Sequence, residues 1–112
     1  MTDTGATLAD DVLQDIVRRI VEIADPVKVV LFGSAARGQM GPDSDADFLV
    51  IVDPGARRRL DIAGDIYGNM SGVRQAKDIV VVTTEDVERY RDSWDLVIYP
   101  ALHEGLVVYE RP

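Results

Sequence analysis

The chain has 112 residues, with 12 lysines and arginines against 20 aspartates and glutamates and a formal net charge of −8 at pH 7, a length that makes one domain able to bury roughly two-thirds of the surface its unfolded form exposes. The acidic excess repels phosphate backbones, so direct nucleic-acid binding is not expected, and the lack of cysteine excludes disulfides, thiolate zinc sites and a cysteine nucleophile while fitting a reducing compartment. No signal-peptide pattern stands near the N-terminus and no apolar run approaches the roughly 20 residues of a membrane span, so the expectation is a soluble, cytoplasmic domain over residues 1–112 with no membrane partner.

From Leu8 to Ala24, the apolar residues Val12, Leu13, Ile16, Val17, Ile20, Ile23 and Ala24 recur at helical spacing with acids and arginines between them, which predicts an amphipathic helix. Thr7 is placed to cap its start and Pro26 to end it. Val27 to Phe32 reads as a buried strand, and Phe48 to Val52 and Ile79 to Val82 read as two more. Ala56 to Met70 reads as a helix with Leu60, Ile62, Ala63 and Ile66 inward; Arg57, Arg58 and Arg59 near its start read as a solvated face. Short helices over Glu85 to Trp94 and Leu96 to His103 precede a last strand, Leu106 to Tyr109, beyond Gly105. Helices alternating with buried strands make an α/β (α+β) domain with a small mixed sheet, its helices packed mainly on one face.

The stretch LFGSAARGQMGPDSDADFLVIV, residues 31–52, carries the chemistry. Side chains alternate along an extended segment, so Asp45 and Asp47 share one side, with Cα atoms roughly 6.5–7 Å apart, while Ala46 and Phe48 face the other. Asp78 holds the matching place before Ile79, on a segment about 4.8 Å from its neighbour if the two strands pair. Three carboxylates in one patch call for a cation, and hard oxygen donors with room for water and phosphate suit Mg²⁺, with space for two ions about 3.5–4 Å apart. Gly33 offers no side chain to keep a phosphate from the backbone, Ser34 adds a hydroxyl, and Ala35-Ala36-Arg37 can start a helix whose free N–H groups attract anions. By itself such a turn also fits an ordinary helix cap, and Asp43 and Ser44 fit a plain turn. Arg37 suits either a triphosphate or a nearby acid, and Tyr67 and Tyr90 are equally open. His103 reads as a surface or helix-end residue, and Trp94, Tyr99 and Tyr109 as packing.

Gly33-Ser34, ten intervening residues, Asp45-Ala46-Asp47 and then Asp78 at the head of a later strand resemble the nucleotidyltransferase superfamily of the DNA polymerase β type. The resemblance is nearest to the minimal nucleotidyltransferases that accompany HEPN-domain toxins as antitoxins; it runs from the first strand to KDIVVVTTED, and DLVIYPALHEGLVVYE is similar to the tail of those proteins. It implies a polymerase β-like fold, two Mg²⁺ held by Asp45 and Asp47 with Asp78 completing the metal site, and ATP held by Gly33, Ser34 and Arg37. It further implies AMP transfer to a hydroxyl, typically a tyrosine, of a partner HEPN toxin, with Asp78 helping to deprotonate the acceptor. Larger superfamily members carry a helical domain that this chain is expected to lack, so a partner or a hetero-oligomer supplies the missing surface. The alternatives are a binding module of the same fold that silences its partner by contact, and a nucleotidyltransferase acting on a small molecule or an RNA end.

Overall fold

In the computed structural model, which describes residues 8–41, 44–55, 57–93 and 97–112, the N-terminal periodicity becomes helix α1, Asp10–Ala24. Ile16 and Ile20, four residues apart and therefore on one side, are fully buried. On the outer side Arg18 bridges Asp15 and Glu22, and Arg19 pairs with Asp15. Asp10 and Asp11 stand in the first turn, where the helix dipole favours acids. The predicted cap Thr7 lies outside the described residues; Ala9 holds the capping position and makes no side-chain bond. Asp25 ends the helix in the left-handed conformation, φ 43°, returning its N–H to the Val21 carbonyl ahead of Pro26.

The chain continues through β1 (Lys28–Phe32), β2 (Ala46–Val52), α2 (Arg59–Gly68), β3 (Lys77–Thr83), α3 (Thr84–Tyr90), α4 (Ile98–Glu104) and β4 (Leu106–Glu110). The sheet has the order β3-β2-β1-β4. β2 runs parallel to β3, with α2 in the connection between them, and β1 is antiparallel to both β2 and β4. This is the small mixed sheet of an α/β domain. Alternation sorts its side chains into two layers: Val29, Leu31, Phe48, Val50, Ile79 and Val81 meet Ile16 and Ile20 of α1 and Ile62 and Ile66 of α2, while Val30, Leu49, Ile51 and Val82 meet Ile98 and Ala101 of α4. The two longer helices thus cover one face, and the seven-residue helices α3 and α4 cover part of the other.

α2 begins at Arg59 rather than Ala56, which itself lies outside the described residues. Ile62 and Ile66 point to the sheet, whereas Leu60, expected inward, is 79% exposed; two residues from Ile62 is about 200° around the helix, the opposite side. The arginine run is solvated and ion-paired, Arg57 with Asp65, Arg58 with Asp61 and Arg59 with Asp86. Thr83 and Asp86 close a reciprocal capping box at the start of α3. Trp94 and Leu96, predicted at the junction of the last two helices, lie outside the described residues. Gly105 lets α4 turn directly into β4: a Cβ there would stand 2.4 Å from the Ala101 carbonyl oxygen and 2.5 Å from Val30 Cγ1.

Candidate active site

Strand register brings the candidate residues to one end of the sheet. Phe32, the last residue of β1, pairs with Asp47 near the start of β2, and Asp47 pairs with Asp78 on β3. Ala46 and Phe48 are buried in the α1/α2 layer, so Asp47 projects from the opposite face, as the sequence alternation requires. Asp45 is exposed just ahead of β2. Gly33, immediately after Phe32, has φ +72°, and a Cβ on it would stand 2.3 Å from Asp47 Oδ2. The glycine therefore serves both the left-handed backbone and the carboxylate lying over it.

Burial raises the Asp47 pKa above the ordinary carboxylate value, the charges of Asp78 and Asp45 raise it further, and Arg37 opposes them. Asp78 and Asp45 thus both act on Asp47 at the end of the sheet. Among the described residues, no three His, Cys, Asp or Glu side chains are gathered closely enough to form a metal-holding group. The donor set is nonetheless oxygen only and acidic, the chemistry of a hard divalent cation.

The segment after Gly33 corrects one expectation. Ala35-Ala36-Arg37 does not start a regular helix: Arg37 N–H bonds to the Gly33 carbonyl at 3.2 Å, Gln39 N–H to the Ser34 carbonyl at 2.8 Å, and Gly38, at φ +69°, ends the turn. One turn carries no helix dipole, so the groups left here that could attract an anion are the backbone at Gly33, the Ser34 hydroxyl and the Arg37 charge. Arg37 is solvent-exposed, donates to Gln39 Oε1 at 3.1 Å and stands 3.9 Å from Glu104 at the end of α4. Arg37 thus neighbours one acid, Glu104, and lowers the pKa of another, Asp47. Asp43 lies outside the described residues; Ser44 Oγ accepts the Gly41 N–H at 2.8 Å in a local turn.

Tyr67 is the residue whose place was not legible beforehand. From α2 its hydroxyl accepts the Ile79 N–H at 2.8 Å and lies 3.5 Å from Asp78 Oδ1; its signal in the sequence was one tyrosine near the end of an apolar helix, which does not reveal a strand edge. Tyr90 packs in the α3/α4 layer under Arg89, Tyr109 packs against the main core, and His103 is exposed on α4 with its ring 4.1 Å from that of Tyr99. Clefts elsewhere include one of about 540 Å³ at Asp53, Arg57–Arg59 and Thr83, beyond the opposite ends of β2 and β3, and one of about 590 Å³ between α1 and β4.

The profile of the nucleotidyltransferase domain family matches residues 12–110. Among solved structures, a candidate nucleotidyltransferase from Sulfolobus solfataricus superposes with a TM-score of 0.60 at 18% identity, covering 90% of this chain and 79% of that one. A mutant of the toxin–antitoxin pair MntA–HpeT superposes with a TM-score of 0.56 at 18% identity, covering 93% of this chain and 74% of that one. No curated protein sequence matches the chain significantly.

Proposed function

The chain belongs to the nucleotidyltransferase domain family, and from that premise we propose that it transfers AMP from ATP to a hydroxyl, a tyrosine's above all, on a HEPN-domain toxin, and so acts as an antitoxin. The observation that carries the reading is the position of Asp47: it lies over Gly33, in register with Asp78, with its pKa raised by burial and by both neighbouring acids. A carboxylate so placed is poorly stabilised alone and well stabilised by a cation.

In this reading Asp45, Asp47 and Asp78 hold two Mg²⁺ ions, which when bound neutralise the triphosphate and the departing pyrophosphate. Gly33 lets the β- and γ-phosphates approach the backbone, Ser34 donates its hydroxyl to them, and Arg37 supplies the nearby positive charge. Asp78 takes the acceptor's proton, a step that matters because a free tyrosine hydroxyl titrates at about 10. Similarity of fold to the MntA–HpeT pair supports a toxin as the acceptor and a hetero-oligomer as the working form. Among the described residues no helix is long and apolar enough to cross a membrane.

A specific observation favours a second reading. The carboxylates are not gathered into a metal-holding group among the described residues, which suits a module of this fold that silences its partner by contact. Incubating the chain, a HEPN toxin and ATP labelled at the α-phosphate separates the two. Mg²⁺-dependent label on a toxin tyrosine supports AMP transfer; a toxin silenced without label supports contact alone, and label on an aminoglycoside or an RNA end instead would move the acceptor to a small molecule or RNA.

A further inference from the structure

Tyr67 meets the outer edge of β3, and its hydroxyl is held there from two sides. The oxygen accepts the Ile79 N–H at 2.8 Å, which leaves its proton free to face Asp78 Oδ1 at 3.5 Å. Among the described residues β3 pairs with β2 alone, so the hydroxyl stands beyond the last described strand of the sheet. The side chain remains 45% exposed. A tyrosine recruited only for packing would bury its ring and needs no carboxylate beside its oxygen.

The order across the end of the sheet is therefore Gly33 after β1, Asp47 on β2, Asp78 on β3, and the Tyr67 hydroxyl outside it, with about 4.8 Å between neighbouring strands. If the β- and γ-phosphates lie at Gly33 and the transferred phosphorus over Asp47, an acceptor oxygen has to enter from the β3 side, next to the carboxylate that takes its proton. The chain's own Tyr67 hydroxyl stands on that side, 3.5 Å from Asp78 Oδ1.

We infer that Tyr67 is itself an AMP acceptor, so that the chain adenylylates its own Tyr67 when no partner hydroxyl fills the site; the inference rests on the AMP-transfer reading above. In the step, a bond forms between Tyr67 Oη and the α-phosphorus of ATP as the bond from that phosphorus to the pyrophosphate oxygen breaks. The phenolic proton passes to Asp78 and from there to solvent. The products are O-adenylyl-Tyr67 and pyrophosphate, and ATP is the sole co-reactant. The product puts a phosphodiester anion beside Asp78 and fills the approach an external acceptor would use. Self-transfer is thus limited to one AMP per chain and slows transfer to a partner.

The experiment incubates the purified full-length chain with Mg²⁺ and ATP, measures intact mass, and maps the modified peptide, with a parallel reaction containing a HEPN toxin. One AMP per chain, mapped to Tyr67 and absent from Asp47→Asn and Tyr67→Phe, is the expected result. Mapping on the unmutated chain makes it independent of how well Tyr67→Phe folds. AMP found on another residue overturns the inference. An unmodified chain beside a labelled toxin overturns the inference and leaves AMP transfer to the partner standing; label in neither reaction overturns both.

Discussion

The Asp47 carboxylate lies over Gly33 so closely that a Cβ on residue 33 would stand 2.3 Å from Asp47 Oδ2. The contact joins the strand carrying the central acid to the turn expected to meet phosphate. It also makes Gly33 answerable for two separate things, a backbone at φ +72° and the aim of a side chain on the next strand.

Gly33→Ala separates them. The left-handed backbone costs a non-glycine residue about 1–2 kcal/mol, and a thermal melt reads that loss. The clash involves the far end of a flexible side chain, so it adds little to the melt and instead turns the carboxylate away. Transfer activity is expected to fall on the order of 100-fold, as for a reacting group misplaced by about 1 Å. In an Asp47→Ala background the same change should still lower the melting temperature, while activity, already lost, shows no further effect. A Gly33→Ala enzyme with full transfer activity would remove Gly33 from the site.

Asp47→Asn tests whether the acid serves the fold or the chemistry. Its folded pKa is raised by burial and by Asp78 and Asp45, so between the unfolded and folded values the folded state holds a proton that the unfolded state has released. The folded state binds more protons there, and stability falls as pH rises through the window. Above it the ionised Asp47 is a standing penalty on the metal-free fold. In chelator at neutral pH, Asp47→Asn is therefore expected to melt at the same temperature or higher, to flatten the acid-side pH dependence of stability, and to abolish Mg²⁺-dependent transfer. A lower melting temperature with transfer retained would mark Asp47 as a structural turn residue.

Nucleotide binding should depend steeply on the metal. A triphosphate approaching Asp45, Asp47 and Asp78 meets like charge, and among the described residues Arg37 is the cation that lowers the Asp47 pKa. Calorimetric titration is expected to find ATP binding at least about tenfold tighter with Mg²⁺ than in chelator, a difference of about 1.4 kcal/mol. Equal affinity in the two conditions would sink the two-ion reading.

Periodicity and alternation made most of the fold legible. Ile16, Ile20, Ile62 and Ile66 at i, i+4 spacing and the apolar runs at Val29, Phe48 and Ile79 announced the layers that the structure builds, because burial on a helix or strand face is written locally. The candidate acids were legible for the same reason: alternation alone fixes the side of Asp47. What was misread or not legible depends on helix spacing, termination and contacts between elements. Leu60 was misplaced because its apolar character was read over its spacing, about 200° around α2 from Ile62, and the expected helix after Ser34 stops after one turn at a left-handed Gly38. Asp78 was read in the matching place beside Asp47 and the strand register bears that out, whereas the reach of Tyr67 from α2 to Ile79 joins a helix to a strand edge, and no local pattern encodes such a contact.

Arg37 is the remaining decision, and its two neighbours predict opposite outcomes. It stands 3.9 Å from Glu104 and lowers the Asp47 pKa from the other side. If its work is to hold α4, an exposed pair at that distance contributes under about 1 kcal/mol; Arg37→Gln and Glu104→Gln should then give the same small loss in a melt and leave the KM for ATP unchanged. If its work is to meet the triphosphate, the variants diverge. Arg37→Gln is expected to raise the KM for ATP about tenfold, the scale of a lost charge-assisted hydrogen bond. Glu104→Gln frees the guanidinium from its competitor and is expected to lower it. The pH profile supplies a second sign: without Arg37 the Asp47 pKa rises further, so the acid limb of transfer should move to higher pH in Arg37→Gln. Steady-state kinetics across pH on the two variants read both effects, and matched changes in the two would assign Arg37 to the fold.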